Sequence, residues 1–153
     1  VDFEHTVPIR IVLDSRLRLP VTAKIRDQPG RILVFTGCED KQKLAVMENA
    51  GFEVHCMPLV EDRVDLTAVL IALGNMHINE VFVEAGPTLN GALLEQNLLD
   101  EGIVYMAPSL LGNAGRGLFT VPALQNLREK KLLSWQEVRA VGADLRLTFK
   151  FVD

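Results

Sequence analysis

Short apolar runs that alternate with helical segments constrain the fold of this chain most. Five runs rich in β-branched or other apolar residues are each bounded by turn residues, which predicts five strands. They are Ile9–Leu13, Arg31–Thr36, Phe52–Met57, Glu80–Glu84 and Gly102–Ala107. Helical patterns lie between several of these runs, and strands joined through crossover helices form parallel sheets. The pattern therefore predicts an α/β domain.

The helical segments carry start and stop signals. The segment 39–51 has acidic residues in its first turn and ends at Gly51, which is placed as the residue after the C-cap. Asp65 is the predicted cap of a second helix, and Thr88 is the predicted N-cap of a third. The second helix has an apolar face formed by Leu66, Val69, Leu70 and Leu73.

The end of the chain has a different pattern. Segments 134–142 and 144–152 alternate apolar and polar residues, and Gly142-Ala143 lies between them. This is typical of an antiparallel hairpin. The complete prediction is a mixed sheet of mostly parallel strands flanked by helices, with a C-terminal antiparallel hairpin, in one domain.

Composition excludes several classes of function. The chain has 153 residues and a net charge of −4, with no basic stripe of the kind that binds nucleic acid. No apolar run reaches the ~18 residues that a membrane helix needs. The N-terminal residues lack the pattern of a secretory signal, so we expect a cytoplasmic protein.

Cysteine and histidine usage predicts neither a disulfide framework nor a metal site. Cys38 and Cys56 do not form a C-x-x-C pair, and we expect both to be buried free thiols. His5, His55 and His77 lie on separate predicted elements without the spacing of metal ligands.

The stretch VEAGPTLNGALLE, Val83–Glu95, has the G-x-x-x-x-G spacing of a phosphate-binding loop between Gly86 and Gly91. Ala92 and Leu93 stand where such a loop requires Lys and Ser or Thr, so it is not a Walker loop. Two interpretations remain from spacing alone. The stretch is either a plain turn between a strand and a helix, or a helix N-terminus whose free amides hold a phosphate.

Two polar residues lie at the carboxyl ends of predicted strands, where ligands of open α/β sheets collect. Ser15 has a hydroxyl that can donate to a phosphate, and Glu84 has a carboxylate that can accept from a sugar or a base. The alternative for Ser15 is an ordinary turn residue, and for Glu84 a solvated surface residue.

Several segments together resemble one family. They are PIRIVLDS, DL..VL..L, INEVFVEAGPTLNGALLE, LLDEGIVYMAPSLLGNAGRGLF and VGADLRLTF. In this order they resemble the reductase domain of the bifunctional riboflavin-biosynthesis deaminase–reductase. The resemblance implies a dihydrofolate-reductase-like fold and NADPH-dependent reduction of 5-amino-6-(5-phosphoribosylamino)uracil, in which the ring-opened ribose becomes a ribityl chain.

The resemblance also implies roles for individual residues. Ser15 matches a residue that contacts NADP, and Glu84 matches one that contacts the substrate. The cofactor phosphates are expected on the turn and helix start formed by Gly86, Pro87, Thr88, Leu89, Asn90, Gly91 and Ala92. No catalytic acid is nominated, and no metal is expected.

The similarity covers the later part of the family's reductase domain. The family pattern begins with earlier strands and an N-terminal zinc deaminase domain, and it implies a homodimer. Two alternatives remain open at this point. One is a related NADPH reductase of another pyrimidine or pterin, and the other is a non-catalytic dimerisation domain that supports a deaminase.

Overall fold

The computed structural model describes residues 7–152, which fall into two compact units divided between Val81 and Phe82. The elements of the first unit are β1 (Arg10–Leu13), β2 (Ile32–Thr36), α1 (Lys41–Asn49), β3 (Glu53–Cys56), β4 (Leu59–Val60), β5 (Arg63–Val64) and α2 (Leu66–Asn75). The elements of the second unit are α3 (Pro87–Glu95), β6 (Glu101–Met106), β7 (Leu132–Val141) and β8 (Asp144–Val152). Single turns of 3-10 helix occur at Lys24–Asp27 and Leu127–Glu129.

The first unit is built around a parallel sheet in the order β1-β2-β3. Every residue of the central strand β2 is buried, because successive side chains point to opposite faces and both faces are covered. Ile32 and Val34 belong to one core cluster, and Leu33 and Phe35 belong to the other. The carboxyl ends of the three strands therefore lie along one edge of a firmly packed sheet.

α2 starts after its predicted cap, and α1 ends before Gly51 as predicted, but α1 begins at Lys41, so the acidic residues precede its first turn instead of lying in it. Asp40 and Asp65 are the N-caps of α1 and α2, and each carboxylate accepts hydrogen bonds from two backbone amides of the first turn. Gly51 follows α1 with φ +90°, a conformation that disfavours other residues. Leu66, Val69 and Leu73 are the buried residues of α2.

A short hairpin, β4–β5, was absent from the predicted elements. Its strands are two residues each, and the turn residues Glu61 and Asp62 have φ values of 50° and 62°. Positive φ at both turn positions matches a type I′ turn, which usually carries Asn-Gly or Asp-Gly. Glu-Asp gives no such signal in the sequence.

The second unit contains an antiparallel sheet in the order β6-β8-β7. The predicted C-terminal hairpin is confirmed as β7–β8, and Gly142 in its two-residue turn has φ +61°. The predicted fifth strand is confirmed as β6, which pairs with β8. The mixed α/β fold class is therefore confirmed, with three parallel strands in the first unit and antiparallel strands in the second.

The predicted fourth strand and the predicted burial of both thiols were wrong. The run Glu80–Glu84 is not a strand, and the side chain of Phe82 is 75% exposed. Apolar alternation indicates which side chains share a face, but a strand also needs a hydrogen-bonded neighbour, and none pairs with this run within residues 7–152. The two thiols are not both buried, since Cys38 is half-buried and Cys56 is exposed.

Candidate functional site

Ser15 lies at the carboxyl edge of the parallel sheet, two residues after β1. Its Oγ accepts a hydrogen bond from the Val64 amide at 3.0 Å, and its carbonyl accepts one from the Gly37 amide at 3.2 Å. A hydroxyl that already accepts one bond keeps its own proton for donation. Ser15 therefore ties β5 to the sheet and can still donate to a ligand.

The chain beyond Ser15 presents two arginines that the sequence analysis did not select. The Asp14 carboxylate accepts a hydrogen bond from the Arg18 amide at 2.6 Å, and Leu17 is buried with φ +49°. This turn leaves the Arg16 and Arg18 side chains exposed on either side of the buried leucine. Their sequence signal was a pair of basic residues directly after a candidate phosphate-binding serine.

The other predicted site residues belong to the second unit, around the start of α3. Gly86 is the N-cap and Pro87 the first helical residue, so the prediction of Thr88 as N-cap was wrong. Proline favours the first helical position because its fixed φ suits the helix and no amide is lost there. No side chain caps this helix.

The free amides of α3 can therefore be named. Pro87 has no N–H, and the Asn90 amide donates to the Gly86 carbonyl at 3.2 Å. Within residues 7–152 the amides of Thr88 and Leu89 have no hydrogen-bond acceptor. These two donors lie at the positive end of the helix dipole, which is where an anion binds. Gly91 and Ala92 lie inside the helix, where amides bond to the preceding turn.

The two glycines of the G-x-x-x-x-G spacing have different surroundings. Gly86 has φ −80°, which any residue adopts, and a Cβ placed on it would meet nothing within 4 Å. A Cβ on Gly91 would overlap the Thr120 carbonyl. Packing therefore requires glycine at position 91, whereas neither packing nor backbone conformation requires it at position 86.

A contact between α3 and the loop that follows β6 explains the requirement at Gly91. The Thr120 amide donates to the Pro87 carbonyl at 2.8 Å, and Asn90 Nδ2 donates to the Leu118 carbonyl at 3.1 Å. Asn90 and Gly91 hold this loop against the helix. The contact of these loop residues with α3 was not identified from sequence, because they lie about 30 residues away in the chain.

We expect Gly91→Ala to lower the free energy of unfolding by about 3 kcal/mol, because the added methyl group overpacks a backbone contact. Denaturant unfolding followed by circular dichroism measures this change. Gly86→Ala is the matched control in the same turn, with a loss below about 1 kcal/mol at an N-cap. Equal stability losses in the two variants would contradict the packing role of Gly91.

Glu84 lies three residues before the first residue of α3, with its side chain exposed. Its carboxylate makes neither a salt bridge nor a hydrogen bond with the described part of the chain. No interaction inside the described residues explains a glutamate here, so the carboxylate is available to a ligand.

A cavity of about 350 Å³ opens at the opposite end of α3. Its lining includes Leu94, Asn97, Lys131 and Phe151, and the Lys131 ammonium donates to Asn97 Oδ1 at 2.6 Å. A cation there balances the negative end of the helix dipole. The cavity contains none of the predicted site residues, so size alone does not locate the site.

Two further observations concern the described residues 7–152. No group of three or more acidic, histidine or cysteine side chains there is arranged to hold a metal ion, and His5 lies outside this range. No helix in this range has the length and apolar character needed to cross a membrane.

Comparison with known proteins assigns the family. The model of the RibD C-terminal domain matches residues 1–146. The chain belongs to this family. The predicted resemblance is therefore confirmed, and it extends over nearly the whole chain.

Two relatives show how far the similarity reaches. The riboflavin biosynthesis protein RibD of Escherichia coli is 40% identical over 140 residues, which are 92% of this chain and 37% of that protein. The 5-amino-6-(5-phosphoribosylamino)uracil reductase of Buchnera aphidicola from Acyrthosiphon pisum is 28% identical over 149 residues, covering 95% of this chain and 67% of that protein. The chain thus spans little more than a third of the E. coli relative.

A solved structure supports the fold assignment. Acinetobacter baumannii RibD matches with a TM-score of 0.79 and 30% identity, over 94% of this chain and 37% of that one. A deaminase/reductase from Thermotoga maritima matches with a TM-score of 0.75 at 17% identity, which supports the fold alone. The RibD C-terminal fold is therefore the fold of this chain.

Proposed function

We propose that this RibD C-terminal domain reduces 5-amino-6-(5-phosphoribosylamino)uracil with NADPH in riboflavin biosynthesis. Family membership supports the reaction class, and a relative with that reductase name covers 95% of the chain. The assignment of NADPH as cofactor rests on Gly86. The packing of the protein does not require glycine at this position, and the free amides of Thr88 and Leu89 lie close by in the chain. A ligand that approaches the backbone closely accounts for the glycine.

The α3 start fits a dinucleotide phosphate. Thr88 and Leu89 offer amide donors, and the open space at Gly86 allows a phosphate to reach them. Asn90 and Gly91 contribute by holding the helix and its neighbouring loop in place. A Walker lysine is unnecessary because no phosphoryl group is transferred; the site seats a cofactor.

The first unit carries phosphate-binding groups of its own. The Ser15 hydroxyl can donate to a phosphate, and the exposed guanidinium groups of Arg16 and Arg18 follow it in the chain. Arginine pairs well with phosphate because its planar fork presents several donors at once. These groups support NADPH rather than NADH as the cofactor, because the two differ by one phosphate.

Glu84 is the proposed substrate contact. Its carboxylate accepts hydrogen bonds from the hydroxyl or amino groups of the pyrimidine nucleotide and fixes the orientation of the sugar. When bound, NADPH supplies the hydride that reduces C1 of the ring-opened sugar. The chain supplies binding and orientation, and we assign no proton donor to it.

The complete protein is proposed to be larger than this chain. RibD of E. coli extends well beyond the matched region, and the T. maritima protein is described as both deaminase and reductase. We propose that residues 1–153 form the later part of the reductase domain, that a deaminase domain precedes it in the complete protein, and that the protein is a cytoplasmic homodimer.

Turnover tests the proposal. We expect the absorbance of the reduced nicotinamide to fall only when the phosphoribosylaminouracil is present, with one ribityl product formed for each NADPH consumed. The chain and the complete protein are assayed side by side. Cofactor binding without turnover of this pyrimidine by the complete protein contradicts the proposed substrate and favours a related reductase.

A further inference from the structure

Two free thiols lie close together at the carboxyl edge of the parallel sheet. Cys56 is the last residue of β3, and Cys38 follows the end of the neighbouring strand β2 by two residues. The Cys56 thiol donates to the Cys38 carbonyl oxygen at 3.5 Å. The exposed sulfur of one cysteine therefore touches the backbone of the other.

The turn after β2 brings Cys38 toward β3. Thr36 pairs with Cys56 in the sheet, and the Cys38 amide donates to Thr36 Oγ1 at 3.1 Å. The Cys56 sulfur already lies 3.5 Å from the Cys38 carbonyl oxygen, and a disulfide joins Cα atoms about 4.4–6.8 Å apart. A bond between the two cysteines would need a local adjustment of the turn after Thr36.

Both side chains also lie on one face of the sheet. Cys38 packs against the core cluster that contains Val34 and Met47, and Val54 packs against the same cluster. Residues 54 and 56 share a face of β3 because side chains alternate along a strand. A bond between the two sulfurs would require the Cys38 side chain to rotate away from this cluster toward Cys56.

We propose that Cys38 and Cys56 form a reversible disulfide when the protein meets a peroxide. Cys56, the exposed thiol, reacts first: its thiolate attacks one peroxide oxygen, forming a sulfenic acid and releasing water. The Cys38 thiol then attacks the Cys56 sulfur, forming the S–S bond and releasing a second water. Two thiols lose two electrons in total, and one hydrogen peroxide becomes two waters. A dithiol reverses the reaction.

The disulfide would act on the proposed cofactor site. Gly37, next to Cys38, donates its amide hydrogen to the Ser15 carbonyl at 3.2 Å. Drawing Cys38 toward β3 pulls this amide from Ser15, the proposed NADPH contact. This second part of the inference rests on the proposed function, whereas the disulfide itself does not.

Mass spectrometry tests the modification. We expect the full chain treated with hydrogen peroxide to lose two hydrogen atoms and to yield a peptide cross-linked between Cys38 and Cys56, and dithiothreitol to restore the thiols. In Cys38→Ser the sulfenic acid of Cys56 has no partner and is trapped by dimedone. Over-oxidation of the unaltered protein at Cys56 without the cross-link, or cross-linking only between two chains, would overturn the proposal.

A titration of reduced and cross-linked protein tests the effect on the cofactor. We expect the disulfide to raise the Kd for NADPH about tenfold, and Cys56→Ser to abolish the response to peroxide. An unchanged Kd in verified cross-linked protein contradicts the coupling to Ser15. Failure of the reduced protein to bind NADPH would contradict both the proposed function and the coupling. Disulfide formation is tested independently by the cross-linked peptide.

Discussion

Gly86→Val is expected to weaken NADPH binding about a hundredfold, which corresponds to about 3 kcal/mol. Valine adopts the observed φ and ψ of this position, and its Cβ would meet nothing within 4 Å. Its branched side chain would block the proposed approach of a phosphate to the amides of Thr88 and Leu89. Cofactor fluorescence measures the loss, and the free energy of unfolding changes by less than about 1 kcal/mol.

Gly74→Val is the matched control for this experiment. Gly74 lies on α2, is exposed, and also has open space where a Cβ would stand. The same substitution there leaves NADPH affinity unchanged. Equal affinity of Gly86→Val and the unaltered protein would mean that the start of α3 does not hold the cofactor.

Glu84→Gln is expected to lower kcat/KM for the phosphoribosylaminouracil about a hundredfold while leaving the Kd for NADPH unchanged. The amide keeps the shape of the side chain but loses the charge and one of the two acceptor oxygens. Because Glu84 has no partner inside residues 7–152, stability is also unchanged. Steady-state kinetics in the complete protein, with a parallel NADPH titration, give both values.

Glu80→Gln provides the control for that variant. Glu80 is exposed and lies four residues before Glu84 in the same irregular segment. The substitution Glu80→Gln removes the same charge as Glu84→Gln. We expect normal turnover from Glu80→Gln. Equal losses for substrate and cofactor in Glu84→Gln, or equal kinetic defects in the two variants, would contradict the assignment of Glu84 to the substrate.

Local signals predicted most of the first unit correctly. The caps Asp65 and Gly51 act within one turn of their own helices, so their effects can be identified from neighbouring residues. The buried run of β2 was identified for a similar reason, since its length and β-branched residues favour a strand. The β4–β5 hairpin was missed because its turn residues adopt positive φ without the usual glycine or asparagine.

Long-range contacts determine the features that sequence patterns did not give. Glu80–Glu84 has the alternation of a strand, but strand formation depends on a neighbour that the segment itself does not specify. Gly91 was predicted as part of a phosphate loop, yet its close approach to Thr120 shows a packing role that depends on a residue 29 positions later. α3 begins at Pro87 and not at about Thr88 as predicted, because Gly86 is the N-cap and Pro87 favours the first helical position.

The sequence also predicted part of the candidate site. Ser15 and Glu84 were selected because they lie at the ends of predicted strands, and both have polar groups that remain available to a ligand. The sequence alone did not distinguish Gly86 from Gly91. The structure distinguishes them, because a Cβ at position 91 would overlap Thr120, whereas a Cβ at position 86 would meet nothing within 4 Å.

A titration of the 153-residue chain with NADPH, with NADH as the control, tests the central claim most directly. The expected result is saturable binding that is tighter for NADPH than for NADH. This would show that the chain holds the cofactor and responds to its additional phosphate, as proposed for the α3 start and, separately, for Ser15 and its neighbouring arginines. Absence of NADPH binding in both this chain and the complete protein would contradict the assignment of a cofactor site to Gly86.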